Sequence, residues 1–141
     1  MRDSPEMTKN LLDMYGRNNL ISRLNLKCFL QLSGLYNISR DSKILDCGCG
    51  RGRIIRTLQA AGFKNIIGLD AAYEMVEMAR KSTGASVIHA VALEIEKIFK
   101  HNDFDVIIAS NVIHHLGTIC DWKVFLRGCN RILKEGGGAC W

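Results

Sequence analysis

The sequence predicts one doubly wound α/β domain. Three observations carry that expectation. From Asp41 onward short apolar runs alternate with amphipathic stretches, each run ends on a turn or acidic residue, and the first run opens straight into glycines and a helix start. Strands alternating with helices at this spacing make βαβ units, whose right-handed crossovers give a parallel sheet with helices on both faces.

Taken in order, residues 4–15 suggest a helix with Ser4 as N-cap and Pro5 at the first helical position, where a missing N–H costs nothing. A second helix over 19–32 puts Leu20, Leu24, Cys28 and Leu32 on one apolar face, and Gly34 is placed to stop it. These helices at 1–40 are read as packing on the sheet; Tyr15 reads as core rather than a ligand contact. The alternating core then runs over 41–141. Strand 1 is expected at Lys43–Cys47 with a helix from Arg51 to Ala61, and strand 2 at Asn65–Leu69, ending on Asp70, with a helix from Ala72 to Ser82. Strand 3 is expected at Ser86–Ala90 with a short helical piece over Leu93–Phe99. Strand 4, Phe104–Ser110, is nearly all apolar and so buried on both faces. A last helix spans Asp121–Leu133. Lys134 to Gly138 reads as a glycine turn before a short fifth strand, Ala139–Trp141, whose unfinished edge invites self-association.

Composition excludes more than it assigns. The 141 residues fit one domain with a substantial core, and 48% hydrophobic with 23% charged residues is ordinary for a globular protein. The net charge of +5 is scattered, without a run of five like charges, so it reads as a solvated surface rather than a nucleic-acid footprint. No apolar run approaches the roughly 20 residues of a membrane span, and the polar start lacks a secretory signal. The six cysteines, at 28, 47, 49, 120, 129 and 140, form no C-x-x-C pair, and no histidine pattern completes a metal site. All six read as reduced thiols of a cytoplasmic protein.

The stretch from Lys43 to Arg53, KILDCGCGRGR, concentrates the chemistry. Glycines allow positive φ and close backbone approach, and a helix start presents unpaired N–H groups, which together suit a nucleotide-like ligand. No Gly-Lys-Ser/Thr follows, which excludes a P-loop. Counted from Gly48, the third position of a dinucleotide G-x-G-x-x-G is Arg53, so the glycine for close packing over a pyrophosphate is missing. The pattern present is D-x-G-x-G-x-G from Asp46 to Gly52, and its leading acid suits a ligand bearing an ammonium group.

Four landmarks, LDCGCGRG, IIGLD, FDVIIASNVIHHL and LKEGGG, appear in the same order and at the same strand ends as in class I S-adenosylmethionine-dependent methyltransferases. The chain resembles that family, in the small-molecule group called methyltransferase domain 11 or 25, over roughly Ser42 to Cys140. The resemblance implies a Rossmann-like sheet in the order 3-2-1-4-5, lacking the last strands of the family's 3-2-1-4-5-7-6. The ligand would sit at the switch point between strands 1 and 4. It implies S-adenosyl-L-methionine as cofactor, with Asp46, Gly48, Cys49, Gly50 and Gly52 around its methionine part. Asp70 would take both ribose hydroxyls, since a carboxylate can accept a pair from a vicinal diol; its other reading is an N-cap for the next helix. Ala71, Val91, Ala92, Ser110 and Asn111 complete the implied cofactor set.

One landmark departs from the family. Where an acid usually meets the adenine amino group, this chain reads His89-Ala90-Val91-Ala92-Leu93, leaving backbone near Val91 and Ala92 to meet the base, with Glu94 too far along. The implied reaction is in-line methyl transfer to a small-molecule acceptor. The stretch after strand 4 lacks the Asn/Asp-Pro-Pro-aromatic signature of enzymes that methylate nucleic-acid amino groups, which disfavours such acceptors. His114 and His115 are weak candidates for a general base. Arg51, Arg53 and Arg56 read first as a solvated helix face. The alternatives are a non-catalytic fragment that binds cofactor or partner and, less favoured, an NAD-dependent enzyme.

Overall fold

The computed structural model describes Gln31, residues 34–110 and residues 112–140, with backbone alone at Tyr36 and His114. The helices expected over 4–15 and 19–32 lie outside the described residues apart from Gln31. Gly34 does take a left-handed conformation, φ 71°, and donates its N–H to the Gln31 carbonyl at 3.2 Å.

Five strands follow: β1 (Ile44–Cys47), β2 (Ile66–Asp70), β3 (Ser86–His89), β4 (Phe104–Ile108) and β5 (Leu133–Cys140). They pair in parallel in the order β3-β2-β1-β4-β5, as the sequence predicts. The helices are α1 (Arg53–Ala60), α2 (Tyr73–Thr83), α3 (Ile95–Ile98, a single turn) and α4 (Ile119–Ile132).

β1 is central and buried at all four positions, so its alternate residues feed two cores. Ile44 joins Ile55 and Leu58 of α1 and Val76 and Ala79 of α2 on one face. Leu45 and Cys47 join Ile95 of α3 and Phe125, Cys129 and Ile132 of α4 on the other. A side chain such as Ile44 or Leu45, fully removed from water, contributes about 1.5–3 kcal/mol. A polar clamp fixes the register at the opposite end of the strands. Lys43 donates its backbone N–H to Asp105 Oδ2 at 2.7 Å, its ammonium lies 2.6 Å from Asp103, and Lys134 reaches Asp105 at 3.0 Å.

Most boundaries shift by one or two residues from expectation: α1 starts at Arg53 rather than Arg51, after the left-handed N-cap Gly52, and β4 ends at Ile108 rather than Ser110. Two further differences have clear local reasons. α4 starts at Ile119 rather than Asp121 because Thr118 and Asp121 form a capping box. Asp121 donates its N–H to Thr118 Oγ1, and its carboxylate accepts from the Thr118 N–H. That reciprocal pair engages two donors that a helix start leaves open. At the other end, the glycines expected in a turn lie inside β5. From Leu133 to Gly138 the strand takes five steps where β4 takes two, from Phe104 to Val106. Gly136 permits this bulge with φ 77°. β5 is an edge strand of the described sheet.

Candidate cofactor site

β1 lies between β2 and β4, whose connections wind to opposite faces, so a crevice opens beyond its C-terminal end. The glycine turn forms one wall. Gly48 has φ 72°, and a Cβ there would sit 2.5 Å from Val112 Cγ2, so only glycine lets the turn lie this close to the loop after β4. Gly52, φ 81°, lets α1 start against α2, since a Cβ would meet Thr83 Cγ2 at 2.7 Å.

Within the turn that precedes α1, several N–H groups are engaged by the protein itself. Gly48 and Cys49 both donate to the Leu69 carbonyl, at 2.7 and 3.0 Å, and Gly52 donates to the Cys49 carbonyl at 3.0 Å. Gly50 donates to Asp70 Oδ2 at 2.8 Å. With these four donors engaged inside the protein, the turn is poorly equipped as a cradle for phosphate, which needs several converging N–H groups.

The electrostatics point the same way. Asp46 is 1% exposed, and neither of its carboxylate oxygens has a hydrogen-bond partner. Burial, and secondarily the charge of Asp70, pushes its pKa up to about 7. An orphaned carboxylate is costly in an apolar setting, and a neighbouring cation would relieve the cost. Burial also raises Cys49 to about 12, helped by the charges of Asp46 and Asp70, and it raises Cys47 still further. Neither thiol is a thiolate nucleophile.

Asp70 ends β2 with one oxygen on Gly50 and the other accepting the Ala72 N–H at 2.9 Å. It thus holds the lead into α2 without capping the helix, whose N-cap is Ala72 with no side-chain cap bond, and each oxygen retains acceptor capacity toward the crevice.

A cavity of about 620 Å³ fills that crevice, within the range of small-molecule sites. Of the residues singled out in the sequence, Gly48, Gly50, Asp70, Ala71, Val91, Ala92 and the candidate His115 line it. Asp46, Cys49 and Gly52 do not: Asp46 and Cys49 are buried beneath the turn and Gly52 packs against α2. Ser110 is exposed and off the wall. Asn111 and the His114 side chain lie outside the described residues.

Leu69, Ala72, Leu93, Val112 and Leu116 complete the wall. They are apolar neighbours of the motif positions, indistinguishable in sequence from core. The wall at Val91, Ala92 and Leu93 carries no acid; Glu94 lies off it, its N–H bonded to the Val91 carbonyl at 3.0 Å. His89 steadies the rim, with Nε2 3.0 Å from the Ala71 carbonyl and its ring edge-on to Tyr73. Among the described residues no group of three or more His, Cys, Asp or Glu side chains is arranged to hold a metal ion.

Comparison with known proteins agrees with this geometry. Residues 45–140 match the family described as the methyltransferase domain. Human mitochondrial ubiquinone biosynthesis O-methyltransferase is 31% identical over 102 residues, covering 67% of this chain and 27% of the human protein. A protein of Encephalitozoon cuniculi bearing a provisional methyltransferase name is 31% identical over 99 residues, covering 70% of this chain and 43% of its own. The crystal structure of a SAM-dependent methyltransferase from Archaeoglobus fulgidus shares the fold, with a TM-score of 0.65 at 24% identity over 79% of this chain and 48% of that one. The chain belongs to the methyltransferase-domain family, whose cofactor is S-adenosyl-L-methionine. It spans less than half the length of these two curated relatives.

Proposed function

We propose that this chain holds S-adenosyl-L-methionine in the crevice beyond β1 and that the protein transfers its methyl group to a small-molecule acceptor. The observation that carries the reading is the orphaned Asp46 carboxylate beneath a turn whose own donors are engaged. That pairing favours a cationic ligand end and disfavours a phosphate. Gly48 and Gly50 would take the methionine part, Asp70 the ribose, and Ala71, Val91 and Ala92 the base.

Bound there, the cofactor would supply an activated methyl on a good leaving group. The chain's own residues would align the acceptor and exclude water. Leu116 and Val112 give the cavity an apolar wall, and His115, the imidazole on that wall, would accept a proton from an acceptor hydroxyl. The human relative's name describes O-methylation in ubiquinone biosynthesis, which supports a hydroxyl acceptor here. A cytoplasmic setting fits the free cysteines among the described residues, and no described helix is long and apolar enough to cross a membrane.

Calorimetric titration with S-adenosylhomocysteine, NADH as control and Asp70→Ala alongside, tests the reading. Saturable binding of the first ligand alone, weakened in the variant, is expected. No binding to the folded chain, or binding of NADH instead, contradicts it. Binding without turnover on any hydroxyl acceptor would favour a cofactor-binding unit that is not catalytic by itself.

A further inference from the structure

In sequence Arg51, Arg53 and Arg56 read as a solvated helix face; the fold sorts them differently. Arg51, just before α1, and Arg56, inside it, meet Met78, Lys81 and Ser82 of α2 around a recess of about 380 Å³. Arg53 is exposed and off that wall. No residue lines both this recess and the cavity beyond β1.

Three side-chain cations therefore share one recess without a counter-charge. No acid occurs between Gly48 and Ala61. The acids of α2, Glu74 and Glu77, stay off the wall, and Glu77 is held by Arg80 at 2.8 Å. Among the described residues, Arg51, Arg56 and Lys81 form no ion pair. The half-buried guanidinium of Arg56 is fixed in place. Its Nη1 donates to Ser82 Oγ at 3.0 Å and to the Arg51 carbonyl at 3.3 Å, and Ser82 Oγ lies 3.1 Å from that same carbonyl. The Nε and Nη2 groups of Arg56 have no partner among the described residues, so one edge of a planar donor fork is oriented and unused. Like charges gathered in one recess repel, and an anion set among them removes the repulsion.

We propose that this recess is a second ligand site, separate from the cofactor cavity, which takes the phosphoryl group of a small phosphate monoester. The oriented edge of Arg56 matches two phosphate oxygens, and Arg51 and Lys81 add charge against a dianion. Met78, 44% exposed, gives the organic part of the ligand an apolar contact on the wall. A nucleic-acid backbone would call for a continuous stripe of free cations. Here Lys43, Arg80, Lys97, Arg131 and Lys134 are each paired with an acid, and the free charge converges on one recess.

The test is an NMR titration of the whole chain, reading backbone amides and the Arg56 Nε–H, in physiological salt above the second phosphate pKa of about 6. The probes are inorganic phosphate, phenyl phosphate, dimethyl phosphate and a short single-stranded RNA. Phenyl phosphate should give saturable shifts at Arg51, Arg56, Met78, Lys81 and Ser82. Inorganic phosphate should move the same cationic positions with little effect at Met78, and dimethyl phosphate, a monoanion, should bind about tenfold more weakly. Arg56→Gln should abolish the response. Lys81→Gln, at an exposed position, should weaken it several-fold with no change in Tm or in S-adenosylhomocysteine binding, and it decides the matter if the first variant does not fold. Absence of saturable shifts with either monoanion-to-dianion phosphate probe overturns the proposal. Tighter binding of the RNA, with shifts spread beyond the recess, overturns it in favour of a nucleic-acid face. Displacement of phenyl phosphate by S-adenosylhomocysteine also overturns it, by making the two sites one.

Discussion

The carboxylate of Asp70 accepts the backbone N–H of Gly50 at 2.8 Å, tying the end of β2 to the middle of the glycine turn. Its second oxygen holds the Ala72 N–H at the start of α2. One side chain thus shapes the turn, fixes the lead into α2 and faces the cavity. Asp70→Ala should lower stability by about 1–3 kcal/mol, because two donors lose a charged acceptor. It should also weaken S-adenosylhomocysteine binding by more than that destabilisation explains. Thermal melts with and without ligand separate the two effects; an unchanged ligand-induced rise in Tm would deny Asp70 a binding role.

Gly48→Ala should be destabilising for two separable reasons, left-handed backbone and collision with Val112. The collision, at 2.5 Å from Val112 Cγ2, should be relieved by Val112→Ala. The backbone strain, about 1 kcal/mol, should remain. A double-mutant cycle in urea is expected to show favourable coupling between the two substitutions. Strict additivity would mean that the loop after β4 does not press on the turn.

The ligand-free chain should lose stability as pH rises from about 4 to about 7. Asp46 titrates near 3.8 unfolded and about 7 folded, so within that window the folded state binds the extra proton. The contribution is on the order of 4 kcal/mol and flat above the window. Asp105 acts with the opposite sign. The Lys43 N–H and Lys134 hold its pKa down, so its stabilisation is lost as pH falls through the carboxylate range. Urea midpoints against pH check both. Asp46→Asn should flatten the upper slope and raise Tm at pH 8 while weakening cofactor binding, a stability gain at the expense of function.

Thr118→Ala should cost about 1 kcal/mol by removing the capping box. Since Leu116 and His115 of the preceding loop line the cavity, ligand affinity should fall as well. Unaltered stability would show that Asp121 alone sets the start of α4.

Much of this architecture is legible in sequence because the strands are buried on both faces and punctuated by glycine or acid. Ile44-Leu45 before Asp46 and Phe104 to Ile108 leave little alternative to central strands. β5 was obscured because three successive glycines look like a turn, although Gly136 in a left-handed conformation is what allows the strand to bulge and continue. The start of α4 was legible in Thr118 and Asp121, whose spacing is that of a capping box, but its acid is Asp rather than the usual Glu. At the candidate site, motif positions such as Gly48 and Asp70 stand out by residue type. Val112 and Leu116 do not, because an apolar residue in a cavity wall is chemically identical to one in a core. The engagement of the turn's N–H groups by Leu69 was also hidden, since a backbone carbonyl leaves no trace in residue identity.

The measurement that tests the central claim most directly is a residue-resolved amide NMR titration of the chain with S-adenosylhomocysteine. The cofactor reading predicts saturable shifts at Gly48, Gly50, Asp70 to Ala72 and Val91 to Leu93, with little change along the outer residues of β5. Saturable shifts confined to another surface, or none at millimolar ligand in a folded chain, would contradict it.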